Sequence, residues 1–296
     1  MRLTLRQLEV FCAICQGGGV TAASSEISIS QSAASQALAD LESSLDGVLF
    51  LRAGRRLVLN NRGRALLPQA LELLERAREI EAQLRDGASL PIKVRLAASQ
   101  TIGNQLLPPM VSQFVAQHPA ASIEVMIANT SSVIEAVATF RADAGFIEGI
   151  CDDTDLFSYP WREDELVIVA SPHHPLVRKR NLAAVHFAAV QWVLREAGSG
   201  TREVLLQAAQ QARFGVRNAL TMGHNEAIQA AVIAGAGIGC LSRSVVAPAL
   251  RRGELKALRT PFLDLTRKLH LVLHRRRYVG AGLCAVLNAC DAKLGK

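Results

Sequence analysis

Leu66, Leu73 and Ile80 recur every seven residues, and Ala70, Ala77 and Leu84 repeat that spacing at offsets of four and three. Apolar positions at this period lie on one stripe of a helix, and two such stripes bury each other as a coiled seam. Residues 62–86 are therefore predicted as one long helix, and these six residues as a dimerisation seam whose alanines let two backbones come close. Gly87-Ala88-Ser89 ends the helix as a hinge, since glycine tolerates conformations that break it. Such a helix cannot sit inside a single core. It divides the 296-residue chain into a small head before it and a larger body after it.

The head reads as helices. Leu5, Leu8, Phe11, Cys12 and Cys15 share one face of a helix over residues 4–16, which Gly17-Gly18-Gly19 stops. Thr21 is predicted to cap a short second helix ending at Glu26, Ser28-Ile29-Ser30 to form a turn, and Ser30 to cap a third helix reaching about Leu45. Two helices joined by a tight turn, the second opening on small polar residues, form the helix-turn-helix pattern. Gln31, Ser32, Ser35 and Gln36 fall on its first turns, where Gln can pair bidentately with adenine and Ser can bond base or phosphate. Thr21 and Ser30 join them as candidate DNA contacts. Residues 49–59 then give two short β-like runs around Gly54-Arg55-Arg56, a hairpin wing. Its Arg52, Arg55 and Arg56 are candidates for phosphates or the minor groove.

Charge is unevenly spread. The chain carries +7 overall: +2 over residues 1–64, −4 over 65–242 and +9 over 243–296. A basic balance suits a polyanionic partner, yet the largest excess is far in sequence from the helix-turn-helix. The run His274-Arg275-Arg276-Arg277 reads as the end of a strand with a solvated basic face.

Beyond Lys93 the pattern changes to strands alternating with helices, at 94–98, 122–128, 144–148, 166–171, 192–195, 219–222, 239–241 and 269–273. Alternation of this kind argues an α/β fold with a parallel sheet. Several strands run into polar helix starts: Ser99-Gln100-Thr101, Asn129-Thr130-Ser131 and Gly198-Ser199-Gly200-Thr201, with Asn225 opening another helix. A helix start offers unpaired N–H groups and the positive end of its dipole, which suits an anion. Singly, each start is an ordinary cap. Converging on one cleft, they would make a small-anion site, with Gly200 letting a ligand approach the backbone.

Other chemistry is thinly represented. Cys12-Ala-Ile-Cys15 matches C-x-x-C but lies in an apolar helix with no second pair to complete a zinc site. The seven histidines form no metal-ligand pattern. An enzyme using Cys151 with His173 or His174 is the alternative reading, but Asp152 and Asp153 beside that thiol would raise its pKa, not lower it. No apolar run approaches the roughly 20 residues a membrane span requires, and the N-terminus lacks a secretory pattern, so the chain is read as cytoplasmic.

The segments LRQLEVF (5–11), VTAASSEISISQSAASQALADLE (20–42) and LFLRAGRRLVLNNRGRALLP (49–68) resemble, in order and spacing, the motifs of LysR-type transcriptional regulators. The resemblance extends through AGAGIGCLSRSVV (234–246). Within the family, SQTIGNQLLP (99–108), GFIEG (145–149), WREDELVIVA (161–170) and WVLREAGSGTRE (192–203) are similar to the YeiE-type group. The chain departs from the family at Asp46, where glycine is usual, and at Ser32, where proline is common. Its recognition helix carries no arginine, which weakens any expectation of guanine readout there.

The resemblance implies a winged helix-turn-helix over residues 1–61, a dimerisation helix and hinge over 62–89, and a two-lobed, periplasmic-binding-protein-like sensor over 90–296. Lobe I would take about 90–162 and 267–296, lobe II about 163–266. It implies no enzymatic activity and no cofactor or metal. It implies a homodimer or homotetramer on double-stranded DNA, an activator's contact with RNA polymerase, and a small-molecule effector between the lobes. The candidate effector residues are Ser99, Gln100, Thr101, Asn129, Ser131, Glu148, Ser199, Gly200, Thr201 and Asn225. Glu148 would repel bulky anions, hold a water, or pair with Arg195 or Arg202. The YeiE-type likeness points to a small oxyanion such as sulfite. The remaining alternative is an architectural DNA binder without ligand.

Overall fold

The structure is a computed structural model that describes residues 3–53, 56–84 and 92–293. Thr4 opens α1 (Leu5–Gly17): its hydroxyl accepts the Gln7 amide, and the Gln7 side chain returns to the Thr4 amide. α2 (Val20–Glu26) starts one residue before the expected cap. Thr21 sits inside its first turn, where its carbonyl accepts the Ser24 and Ser25 hydroxyls, and it caps nothing. Ser30 does cap α3 (Gln31–Ser44), through the Ala33 amide at 3.1 Å. Leu8, Phe11, Ile14, Ala23, Ala34 and Leu41 close the core of this head.

After α3 the chain reverses through Asp46, which adopts φ 50°. Left-handed backbone at a helix end is the position glycine normally fills, and aspartate is among the few other residues that tolerate it. Arg62 seals the reversal by donating to the Leu45 and Asp46 carbonyls. β1 (Phe50–Ala53) and β2 (Arg56–Leu59) then pair antiparallel as the wing, with the Phe50 ring against Phe11. The wing's turn, with Arg55, lies outside the described residues, as does the Gly87-Ala88-Ser89 hinge.

α4 (Asn61–Leu84) begins where the Asn60 side chain accepts the Gly63 amide. The heptad residues on it divide into two groups. Leu66 and Ala70 pack into the head's own core. Leu73, Ile80 and Leu84 are 48%, 58% and 79% exposed, with Ala77 half-buried between them. The apolar stripe thus leaves the head and runs uncovered along the helix.

The body is built on β3 (Lys93–Ser99), α5 (Leu107–Gln117), β4 (Ser122–Ala128), α6 (Thr130–Ala138), β5 (Ala144–Glu148) and β6 (Leu156–Ala170). It continues with α7 (Val185–Ala188), β7 (Gln191–Arg195), α8 (Gly200–Gln211), β8 (Arg217–Met222), α9 (Asn225–Ile233) and β9 (Ile238–Ser242). α10 (Arg243–Arg252), β10 (Lys256–Ala257), β11 (Thr266–His274) and α11 (Ala281–Ala289) complete it. Among the described residues its strands form one nine-stranded sheet in the order β4-β3-β5-β11-β6-β9-β7-β8, with β10 on β6. The sheet is mixed and not parallel throughout. β3, β4 and β5 are parallel, as are β7, β8 and β9, but β11 runs against β5 and β6, and β6 runs against β9.

The 15-residue β6 joins two halves. Leu156–Glu165 pairs with β11, and Leu166–Val169 pairs with β9. The chain recrosses just before β11, where the Leu166 amide donates to the Leu265 carbonyl. Each half has its own apolar layers: Leu96, Phe146, Leu271 and Leu287 with Val133, Ile147 and Val272 in the first, Ile168, Trp192 and Leu205 with Val169, Ile228 and Val246 in the second. The two cores share two crossing strands, and strand ends and helix starts of both halves face one another across a closed cleft where the cores meet.

Candidate functional site

The helix starts predicted from sequence do meet across this cleft. Ser99 ends β3, and a helical turn opens at Gln100, widens into a π-turn over Ile102–Leu106 and continues as α5. Asn129 caps α6 by accepting the Ser132 amide. From the second half, Ser199 stands before α8 and His224 before α9. Ser99, Gln100, Thr101, Glu148, Ser199, Thr201 and Asn225 are all buried.

Several sets of hydrogen bonds join the halves. The Gln100 side chain donates to the Gly223 carbonyl and accepts the Asn225 amide. The Gly200 amide donates to Thr130 Oγ1, and Ser131 donates to the Gly198 carbonyl through its amide and its hydroxyl. Thr201 Oγ1 donates to Glu148 Oε2 at 3.0 Å, while the Thr101 amide donates to Glu148 Oε1 at 3.0 Å. Glu148 is thus an internal anion seated at two helix starts.

Its cationic partner is neither Arg195 nor Arg202. Arg267, at the start of β11, donates to Glu148 Oε2 at 2.7 Å and also reaches Thr201, Thr101 and Asp164. Burial pushes the Glu148 carboxyl up, but the Arg267 guanidinium and the polar side chains of Thr101, Thr201 and Ser99 outweigh it and hold the pKa below its ordinary value. Burial likewise opposes the Arg267 charge, and Glu148 and Asp164 more than restore it. Arg195 instead forks onto Glu196 and donates to Asn225 Oδ1, and Arg202 donates to the Arg195 carbonyl. Gly200 also serves a different purpose from the one expected. A side chain there would collide with the Glu148 carbonyl, so the glycine admits protein backbone.

Two buried hydroxyls are left over. Ser99 Oγ and Ser199 Oγ have no hydrogen-bond partner among the described residues. Each immediately precedes the helix start that converges on Glu148. Sequence reading misses Arg267 and Asp164, and names Thr130 only as part of the helix start at 129–131. An arginine entering a strand gives no local sign that it will turn inward to a carboxylate 119 residues away.

On the head, Gln31, Ser32, Ser35, Gln36 and Asp40 all lie on the exposed face of α3. Gln36 donates its amide to Asp40 at 2.8 Å, and Ser32 shares a hydroxyl bond with Ser30. Thr21 and Arg52 are exposed near this face's two ends in sequence. Burial disfavours the thiolate form of both thiols on the apolar α1 face: it pushes the Cys12 pKa to about 12 and raises Cys15 as well. Burial, aided by Asp153 and Asp152, also raises Cys151. Among the described residues no group of His, Cys, Asp and Glu is placed to hold a metal, and no helix is long and apolar enough to cross a membrane.

A helix-turn-helix head with a hairpin wing, joined by a long helix to a two-lobed α/β sensor, defines a ligand-responsive DNA-binding regulator. Residues 5–64 match the family model "Bacterial regulatory helix-turn-helix protein, lysR family", and residues 87–295 match "LysR substrate binding domain". The chain belongs to the LysR family of transcriptional regulators, whose members are not enzymes. It is 43% identical over 293 residues to the uncharacterized HTH-type transcriptional regulator YeiE of Escherichia coli K12, covering 98% of both chains. A full-length variant of OxyR from Pseudomonas aeruginosa has the same fold, with a TM-score of 0.75 at 19% identity over 98% of this chain and 95% of that one. The regulatory domain of Synechocystis PCC6803 CcmR, solved in complex with 2-PG, matches 68% of this chain and 96% of its own, with a TM-score of 0.63 at 24% identity.

Proposed function

We propose that this regulator senses a small oxyanion, such as sulfite, in the cleft between its lobes, and that the bound ion alters how a homodimer or homotetramer grips DNA. The observation that carries the ligand reading is the pair of buried, unpartnered hydroxyls of Ser99 and Ser199 beside the two helix starts that already hold the Glu148 carboxylate. An unpaired buried hydroxyl costs stability unless something bonds it, and helix starts favour an anion.

The electrostatics narrow the choice. Arg267 and Arg195 are both matched by carboxylates, so the ion would be held by hydroxyls and N–H groups. Glu148 Oε1 accepts the Thr101 amide and has room for a second donor, a place for which the nearby Ser99 hydroxyl competes. An oxyanion that carries a proton, as hydrogen sulfite does, can donate to it. Sulfate at neutral pH cannot, and meets repulsion instead. The CcmR regulatory domain, which shares the fold, was solved with the small ligand 2-PG, which supports a small-molecule reading of this sensor.

DNA would be read by Gln31, Ser32, Ser35 and Gln36, and gripped by Thr21, Ser30, Arg52, Arg55 and Arg56. The exposed stripe of Leu73, Ile80 and Leu84, with Ala77, would pair with its copy in a second chain, continuing from Leu66 and Ala70. Activation would act on RNA polymerase in the cytoplasm.

The test of the ligand is calorimetry on the full chain with sulfite, sulfate, phosphate and small carboxylates. Sulfite is expected to bind at least about tenfold tighter than sulfate, a difference near 1.4 kcal/mol. An aromatic or long-chain ligand that outcompetes every oxyanion refutes the reading.

A further inference from the structure

The basic run at the end of β11 divides: Arg275 and Arg276 are exposed, as a solvated face would be, and Arg277 turns inward. The Arg277 side chain is only 8% exposed, and it bonds Glu75 of α4 at 2.9 Å and Asp143 at 3.3 Å. The next residue, Tyr278, donates its hydroxyl to Glu79, and Arg76 lies over its ring. Glu79 also accepts the Ala281 amide at the start of α11. Glu75 and Glu79, one turn apart on the long helix, thus clasp the segment that follows β11. A side chain at Gly280 would displace both carboxylates. Phe140 adds an apolar contact: it packs into the head's core while its ring stacks on His274 at 4.1 Å.

Asp143 binds more than Arg277. It accepts the Arg95 amide at 2.7 Å and pairs with the Arg95 guanidinium. Arg95, Asp143 and Arg277 therefore form one network with Glu75. Arg95 lies on β3, whose far end is Ser99, and Asp143 directly precedes β5, whose far end is Glu148. Arg277 follows β11, whose far end carries Arg267. These are neighbouring strands in the order β3-β5-β11. At one end they carry the cleft's charge network and at the other the clasp on α4. The strand from Asp143 to Glu148 spans about 16 Å at about 3.3 Å per residue.

We propose that β3, β5 and β11 act as one rigid relay, and that the Arg95–Asp143–Arg277–Glu75 network with Glu79 is the joint through which the cleft's state reaches the long helix and the DNA-binding head. Strands hydrogen-bonded into the middle of a sheet move together, so a shift at Arg267 or Glu148 appears at Arg277 and Asp143. The joint sits on charges at the helix surface, where a small displacement exchanges partners without unpacking a core. Coupling of this kind is a free energy shared between the two ends, and it is measurable as such.

The test needs no effector, so failure of the oxyanion reading would leave it intact. Thr201→Val removes a cross-lobe bond to Glu148 without touching the head. Full-length protein is used with a duplex that the protein itself selects from a random-sequence pool. Thr201→Val is expected to speed backbone amide exchange at residues 277–282 by about fivefold or more. It is also expected to change DNA affinity by about threefold or more. In a Glu75→Gln background, or with Tyr278→Phe should Glu75→Gln fold poorly, the same substitution should leave DNA affinity within about 1.5-fold. A purely structural joint would lower stability and leave that ratio as it was. Unchanged exchange across 277–282, or equal DNA responses in the two backgrounds, overturns the proposal.

Discussion

Replacing Glu148 by Gln separates the charge at the centre of the cleft from its shape. Glutamine keeps one carbonyl to accept the Thr101 amide or the Thr201 hydroxyl, but it cannot neutralise Arg267. Removing one partner from a buried ion pair costs about 3–5 kcal/mol when the other charge is left alone. Arg267 would retain Asp164, at 2.6 Å, so the expected loss is smaller, about 2 kcal/mol. The assay is urea unfolding followed by tryptophan fluorescence. Both tryptophans, Trp161 and Trp192, lie in the sensor, one in each half, so the signal does not mix in the head. With a slope of about 2 kcal/mol per molar urea, the midpoint should fall by about 1 M. The pH dependence has a definite sign. The folded pKa of Glu148 lies below its unfolded value of about 4.3, so the group's contribution is complete above that value and disappears as pH falls through the folded pKa. The gap between parent and Glu148→Gln should therefore be full at pH 7, begin to narrow only as pH falls below the unfolded value, and close as pH passes through the folded pKa. Carboxylates that do not touch Arg267 are common to both proteins and cancel in the difference. A gap under about 0.5 kcal/mol at pH 7, or one that stays constant through the acid limb, would refute the assignment of Glu148 as a charged, paired centre.

Other substitutions probe the head and the long helix. Asp46→Gly should raise the melting temperature of the head, by about 0.5 kcal/mol of added stability, because φ 50° suits glycine better than any side chain; circular dichroism would show it. Leu73→Glu should dissociate the oligomer in sedimentation experiments, since it places a charge in the seam; an unchanged mass would locate the interface elsewhere. Arg55→Ala should weaken binding to all duplexes alike and flatten the salt dependence by about 0.9 in log–log slope per lost phosphate contact, while Gln31→Ala should change sequence preference. Identical behaviour of the two would remove the distinction between grip and readout. Cys12, with its pKa near 12, should resist alkylation at pH 8 until the head unfolds.

Much of this molecule is legible residue by residue, and the illegible parts share a cause. The capping serine at position 30, the strands at 122–128 and 144–148 and the helix starts at 129 and 199 are local: each depends on neighbours within a few residues. Asp46 is legible in a subtler way. It stands where glycine is usual, and the backbone there proves to be left-handed. What sequence hides is long-range. β6 is legible only from Leu166, because Pro160 and the charged residues 162–165 interrupt its apolar pattern where it crosses between the halves. Arg267 and Arg277 look alike as surface cations, yet carboxylates more than a hundred residues distant bury both. A charge shows its burial in sequence only when its partner lies nearby, and neither partner does.

The closed cleft also constrains what kind of ligand can work a switch. Gln100, Thr130, Ser131 and Thr201 or their partners already bridge the lobes with direct bonds. A ligand shifts the open–closed balance only by the difference between its contacts in the two states. A bulky ring entering here would break several of those bridges and would have to replace each one merely to break even. A small oxyanion can instead bond the Ser99 and Ser199 hydroxyls, which have no partner to give up. Each bond it makes then counts in favour of the closed form. At about 1 kcal/mol for each hydroxyl newly paired, two such bonds would shift the balance about thirtyfold. A shift of that size is enough to move a regulator between two DNA-binding states without deep apolar walls, and Ser99→Ala with Ser199→Ala should abolish it while leaving the cross-lobe bridges in place. Retention of the full ligand response in that double variant, measured as the ratio of DNA affinities with and without saturating sulfite, would show that the two hydroxyls are not where the ligand acts.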